Sequence, residues 1–468
     1  MTRLVLLACL VCACKRTESA DKAAAKPTAA SPCAKAETKG PVAWIEDDFP
    51  AALACAREKK VPIVLDLWAP WCHTCLSMQT TVFTDPAFAA DATKFVFASI
   101  DTDRDASAPV VGQFAPSAMP TFYVIGTDET VLARFIGAAS VAQFREFMAS
   151  GAQAANGGGA AADARLLGAQ RALAQRDFAT ADEELAAALA AMPENWPRRD
   201  ELFNALVMVK NKRGDTKACL DIADKYMDVA GNNALSTNFI SYALGCVDKA
   251  IESTPELKDH AIAIRDKGIA RWKAILADPT APLSIDDRAE ALGYLRDALE
   301  ASGKLDDAKQ VAEQLRTIVD NAYAKAPTPL GKMTYIWPRA EVYAWLKRPL
   351  DLVADYEALG KQLPKEYDPP ARIGWLYLKA GKLPEAAKWT EHALTLVYGP
   401  RKGRLLAQRA EIAKAANDKT TERSYREQAV KLWESLPPGQ QNPDNLEAAK
   451  KALAALDAPP SGSATAAH

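Results

Sequence analysis

Around residue 156 the chain changes character, and that change limits what it can fold into more than any other feature. Upstream, short runs rich in Val, Ile and Phe recur between turn residues; downstream, Ala, Leu, Glu and Lys dominate at helical period. Asn156-Gly157-Gly158-Gly159, set among alanines, has the composition of a linker between independent domains. The 468 residues are therefore read as an α/β domain over 40–150, a Gly/Ala linker over 151–163 and an all-α repeat array over 164–456. With 57 Lys and Arg against 59 Asp and Glu, the net charge of −2 leaves no basic footprint. Nucleic acid is not an expected partner.

The α/β segment carries the chemistry. Val61 to Trp68 is an apolar run of strand length, and Cys72-His73-Thr74-Cys75 follows it, with Leu76, Met78 and Phe83 continuing at helical spacing. Further strands are predicted at Phe95–Ile100, Thr121–Ile125 and Val131–Phe135. Helices are predicted at Ala108–Phe114 and at Ser140–Met148, the latter with Ser140 as N-cap. Cys72 at the head of a helix meets unsatisfied N–H groups that favour its thiolate, so it is the expected attacking sulfur. Cys75, one turn on, lies beneath it as the resolving thiol. A protonated His73 adds to that stabilisation and makes the pair more oxidising.

Other uses of the two cysteines fit less well. Haem attachment needs His directly after the second cysteine, where this chain has Leu76. Zinc or copper held by Cys72, His73 and Cys75 lacks a nearby fourth ligand, and a four-residue loop makes a weak structural staple. No cofactor or metal is expected.

These residues are similar to thioredoxin, and most of all to the periplasmic C-terminal thioredoxin-like domain of DsbD-type thiol:disulfide interchange proteins. The matching stretches are Leu65 to Cys75, Phe83-Thr84-Asp85-Pro86, Met119-Pro120-Thr121-Phe122 and Ile136 to Ser140. Asp66 shares its strand face with Val64 and Trp68, which buries the carboxyl and raises its pKa. The resemblance implies that Asp66 accepts the Cys75 proton. It also implies a cis bond at Pro120, which turns the Met119 backbone toward the site to pair with an extended substrate. Trp71, directly before Cys72, is expected to cover the site, and Trp71, His73 and Met119 form the expected substrate-binding set. The lysine that thioredoxins often carry near the buried acid is replaced by Phe97, which alters proton handling.

The N-terminus implies a compartment. Arg3, the apolar run Leu4–Cys14 and the polar Lys15-Arg16 that follows have the order of a bacterial export signal, too short to span a bilayer. Val11-Cys12-Ala13-Cys14 resembles a lipobox, which implies a signal peptide over 1–13 and lipidation of Cys14. Residues 14–39, rich in Ala, Lys, Thr, Ser and Pro, are read as a tether reaching roughly 25–30 Å. The expected location is the bacterial cell envelope, periplasm-facing, with the lipid as the sole membrane attachment.

Residues 164–456 resemble tetratricopeptide repeats. Arg176-Asp177-Phe178 with Ala181, Ala188 and Pro193, and Gly374, Tyr377, Gly381-Lys382-Leu383 with Ala386 and Ala393, mark the turns and second helices. Gly214 and Gly303 mark further turns, and about six to eight degenerate helix pairs are expected. The array tryptophans are read as repeat core. Cys219 and Cys246 fall on neighbouring helices, where an oxidising compartment permits a structural disulfide; Cys33 and Cys55 have the same option. Residues 457–468, with Pro459-Pro460, are read as a disordered tail.

The expectation is thus a thioredoxin fold followed by an α solenoid. It acts as an exported oxidoreductase on protein thiols and disulfides with an unidentified redox partner, while the array binds proteins. The competing expectation is a non-catalytic lipoprotein scaffold with idle cysteines.

Overall fold

The computed structural model describes residues 31–457 apart from 117, 159 and 160. The signal segment, Cys14, the tether up to residue 30 and tail residues 458–468 lie outside the described residues.

Among them, strands β1 (Glu37–Lys39), β2 (Val42–Glu46), β3 (Ile63–Trp68), β4 (Val96–Asp101), β5 (Thr121–Ile125) and β6 (Val131–Ile136) form one sheet. Its order is β1-β2-β4-β3-β5-β6. β2 and β3 run parallel to β4, while β1, β5 and β6 are antiparallel to their neighbours. The central β3 is apolar on both sides, so both must be covered. Ile63, Leu65 and Leu67 enter one core with helix α1 (Phe49–Lys59), and Val64 enters the other with Phe83, Phe122 and Phe144. Phe144 comes from helix α4 (Val141–Ala155), which Ser140 and Gln143 start with a capping box. Two short helices, α2 (His73–Ser77) and α3 (Ala108–Gln113), complete the domain.

The structure departs from the expected boundaries at both ends of this domain. Residues 31–39, read as tether, are tied down: Cys33 and Cys55 are joined, and β1 pairs with β2. The bond is the option read for Cys33 and Cys55, whereas the low-complexity composition gave no sign of the three-residue edge strand. At the other end α4 continues to Ala155, through the first residues assigned to the linker.

Beyond it lie α5 (Ala161–Ala174), α6 (Phe178–Ala190), α7 (Arg199–Arg213), α8 (Thr216–Tyr226), α9 (Ala234–Ser253), α10 (Lys258–Ala277) and α11 (Ile285–Ala301). They are followed by α12 (Leu305–Lys325), α13 (Pro329–Trp345), α14 (Val353–Gln362), α15 (Asp368–Lys379), α16 (Leu383–Leu396), α17 (Arg401–Ala415), α18 (Lys419–Ser435) and α19 (Pro443–Ala454). Successive helices pack as hairpins in a tetratricopeptide-like solenoid, with α5 on α6, α11 on α12, α15 on α16 and α17 on α18. The turns read at Gly214, Gly303 and Gly381 fall between helices. Cys219 on α8 and Cys246 on α9 are joined, S–S 2.03 Å. Trp196, Trp272 and Trp433 are buried in the repeat core.

The two parts are not independent, contrary to the linker reading. The array begins by sealing an edge of the sheet: the Gln170 carboxamide accepts from Arg134 N at 3.0 Å and donates to Arg134 O at 2.7 Å, as a neighbouring strand would. Arg171 donates to Val131 O on the same strand. At its far end the array returns to the loop after β4, where Gln440 Nε2 donates to Thr102 O and Arg104 O, each at 2.8 Å. Two glycines permit that return. A Cβ on Gly399 would lie 1.8 Å from Asp103 O, and one on Gly439 would lie 1.9 Å from Ala108 O.

Candidate active site

β3 delivers the chain to the site. After Trp68, the turn Ala69-Pro70-Trp71 closes through a Cys72 N to Ala69 O bond of 3.0 Å, and Cys72 becomes the N-cap of α2. Its sulfur accepts from Cys75 N at 3.1 Å, so one orphan N–H of the helix start is turned toward it. Cys72 and Cys75 are joined, S–S 2.07 Å. Trp68, Trp71 and Met119 pack around the pair, and the Met119–Pro120 bond is cis. Of the residues read from the sequence, Cys72, Cys75, Trp71 and Met119 thus come together, with the buried Pro120 adjoining Met119.

Asp66 lies on β3 opposite Ser99 and Phe122, 2 % exposed. The Ser99 hydroxyl donates to its Oδ2 at 3.4 Å, and the Gln79 side chain also hydrogen-bonds the carboxyl. Burial raises its pKa to about 7. Phe97 pairs with Val64 and packs on Trp44, so the position read as a lost lysine is part of the aromatic core.

Across the site lies the array. α2 packs against α11 and α13, and Leu76 belongs to the array's own apolar core. Cys72 is 4 % and Cys75 1 % exposed. The Arg401 guanidinium stands 4.6 Å over the Trp71 ring, while Trp71 Nε1 donates to Asp103 Oδ2 at 2.9 Å. Tyr367 donates to the same Asp103 oxygen at 3.4 Å, and Tyr398 donates to Asp101. Burial, aided by the charge of Asp101, raises Asp103 to about 7.

His73 does not face the sulfurs' apolar surround but the array. Its Nδ1 is 2.8 Å from Asp286 Oδ1 and 3.0 Å from Oδ2. Burial alone would lower its pKa, but the charge and hydrogen bond of Asp286, joined by Glu290 and Glu341, raise it to about 9. Sequence reasoning missed Asp286, Tyr367, Tyr398, Arg401 and Gln440, because each acts across more than 200 residues of chain. The alternating acids Asp101, Asp103 and Asp105, starting at the last residue of a buried strand, were the one local signal.

Comparison with known proteins agrees with this geometry. Residues 44–126 match the family described as thioredoxin-like. With the sheet order and the paired cysteines, this segment is a thioredoxin-like domain, followed in the same chain by a tetratricopeptide-like solenoid. The thiol:disulfide interchange protein DsbD of Vibrio vulnificus is 36% identical over 59 residues, 13% of this chain and 10% of the relative. Thioredoxin H5 of Arabidopsis thaliana is 39% identical over 87 residues, 18% of this chain and 66% of the relative. The chain thus spans about a tenth of the DsbD relatives' length. A tetratricopeptide repeat protein of Parabacteroides merdae is similar over 64% of this chain and 99% of its own, at 14% identity and TM-score 0.40.

Proposed function

We propose that the chain is a thiol:disulfide oxidoreductase that exchanges disulfides with protein clients through Cys72 and Cys75. The single observation that carries this reading is the Cys72–Cys75 disulfide at the head of α2, reached by a strand bearing the buried Asp66. In the reducing direction the Cys72 thiolate attacks one client sulfur. The client S–S bond breaks, a Cys72–client disulfide forms, and the departing client thiolate takes a proton. Cys75 gives its proton to Asp66 and attacks the Cys72 sulfur, and the second client thiolate leaves and is protonated. Two electrons pass from the pair to the client, and an external dithiol donor restores the pair. The same steps reversed oxidise a client dithiol.

We place this activity in the bacterial cell envelope, on a chain exported by residues 1–13 and anchored through a lipid on Cys14. The outward face of the array is proposed to bind proteins, while part of its surface is spent on the chain's own active site. A Cys75→Ala variant is expected to accumulate mixed disulfides under non-reducing conditions; their absence contradicts the proposal. Cys14→Ser is expected to release the protein from membranes, and persistent attachment overturns the anchor. A second reading, an adaptor with idle cysteines, draws on the near-complete burial of Cys72 among Trp68, Trp71 and Met119. It requires equal rates of insulin reduction by the wild type and Cys72→Ser.

A further inference from the structure

One side chain between the cysteines answers to the array rather than to the domain that carries it. The ring of His73 is partly buried against α11, and the carboxylate that meets its Nδ1 has a side-chain exposure of 1%. A carboxylate so deeply buried is costly unless paired, and the ring nitrogen is the partner it has here. Titratable neighbours face the same ring from both packed helices: Asp286 and Glu290 from α11, and Glu341 from α13. Asp287, next along α11, is turned away to its own cap, accepting from Ser284 N at 2.8 Å. Tyr294 donates to Glu290 at 2.9 Å, while Arg296 and Arg372 act on Glu341.

We propose that Asp286, contributed by the array 213 residues away, is a positioning residue of the exchange site: it holds His73 as an imidazolium beside Cys72 and so makes the cysteine pair a stronger oxidant. The inference rests on the exchange activity proposed above. His73 is bonded through the backbone to Cys72, whereas Asp286 belongs to the array and meets the ring at Nδ1. Of the two charges the imidazolium is carried by the residue adjoining Cys72 in the chain, and a Coulomb effect falls with distance. A stabilised thiolate stabilises the reduced pair, which raises its potential. The array thereby sets the redox poise of a domain whose own fold supplies the cysteines. The rise of the His73 pKa to about 9 accords with this, since it keeps the ring charged at neutral pH.

The test is the redox equilibrium of the full chain with glutathione, read at Cys72 and Cys75 by differential alkylation, together with NMR titration of the His73 ring. Asp286→Asn is expected to make the pair about tenfold harder to reduce, roughly 30 mV for a two-electron couple. It is also expected to move the His73 midpoint down from about 9 toward its ordinary 6.5. Asp286→Glu should recover part of both. In a His73→Gln background, Asp286→Asn should change the potential no further. Gln170→Ala, which removes array bonds to Arg134 at the distant sheet edge, should leave the potential where it is. The proposal is overturned if the wild-type His73 titrates at or below 6.5, if Asp286→Asn shifts the equilibrium less than twofold, or if the shift survives in the His73→Gln background. A wild-type pair that does not equilibrate with glutathione at all defeats the exchange reading itself, and this inference with it.

Discussion

Two buried aspartates are proposed to serve the same cysteine pair, and they differ in what balances them. Asp66 comes from the central strand of the domain, is hydrogen-bonded by the neutral side chains of Gln79 and Ser99, and is raised by burial to about 7. Asp286 comes from the array and is paired with the His73 ring. An acid without a cation trades its own proton near neutrality; an acid with one fixes the protonation of its partner. The comparison suggests a division of labour in which the domain handles the proton of Cys75 and the array tunes the charge beside Cys72.

The largest effect is expected where the uncompensated acid is removed. Asp66→Asn should slow the second exchange step at pH 7 roughly a hundredfold, by the usual worth of a positioned base. Stopped-flow release of client thiol checks this, and an unchanged rate means the proton leaves by another route. The same variant should be more stable than the wild type at pH 8. A carboxyl raised from 3.8 to about 7 contributes stability at acid pH that is lost as pH rises through 7. Asn escapes that loss, worth up to about 4 kcal/mol. Denaturant unfolding at pH 5 and pH 8 separates the two conditions.

Next in size is the array contact. Since the His73 pKa is raised from 6.5 to about 9, its stabilisation is complete below 6.5 and disappears as pH rises through 9. At most about 3 kcal/mol is involved. Alkylation of Cys72 in the reduced chain should therefore accelerate above pH 9 by more than thiolate formation alone explains, and Asp286→Asn should remove that excess. Gly399→Ala forces a Cβ into the Asp103 carbonyl and should loosen the same docking at every pH. Limited proteolysis between Tyr398 and Arg401 reads it out. The smallest effect belongs to the distant edge of the sheet. Gln170→Ala removes two bonds to Arg134 and should cost about 1–2 kcal/mol while leaving the exchange rate alone.

How far the sequence disclosed these features follows the range of the interactions involved. Asp66 lies in an apolar run buried on both faces, and the strand–turn–CxxC–helix order sets Cys72 at a helix start, so the local half of the site was readable. The hairpin turns at Gly214, Gly303 and Gly381 were readable too, because turns are local. The embrace of the domain by the array was not. Gly157 and its neighbours have linker composition, yet composition says nothing of what two tethered units do with their facing surfaces. Asp286 in sequence is one of two acids in the first turn of a helix, a place where helix dipoles alone explain acids. Only the packing of α11 on α2 gives it a second role.

The central claim is that one of the three disulfides among the described residues is chemically active, and it is tested by following all three at once. The full chain is equilibrated across glutathione buffers, and each cysteine is scored by isotope-coded alkylation and mass spectrometry. Cys72 and Cys75 should reduce together as a reversible pair while Cys33–Cys55 and Cys219–Cys246 stay oxidised. If Cys72–Cys75 proves as resistant as Cys219–Cys246, the pair is a structural bond and the exchange mechanism is wrong.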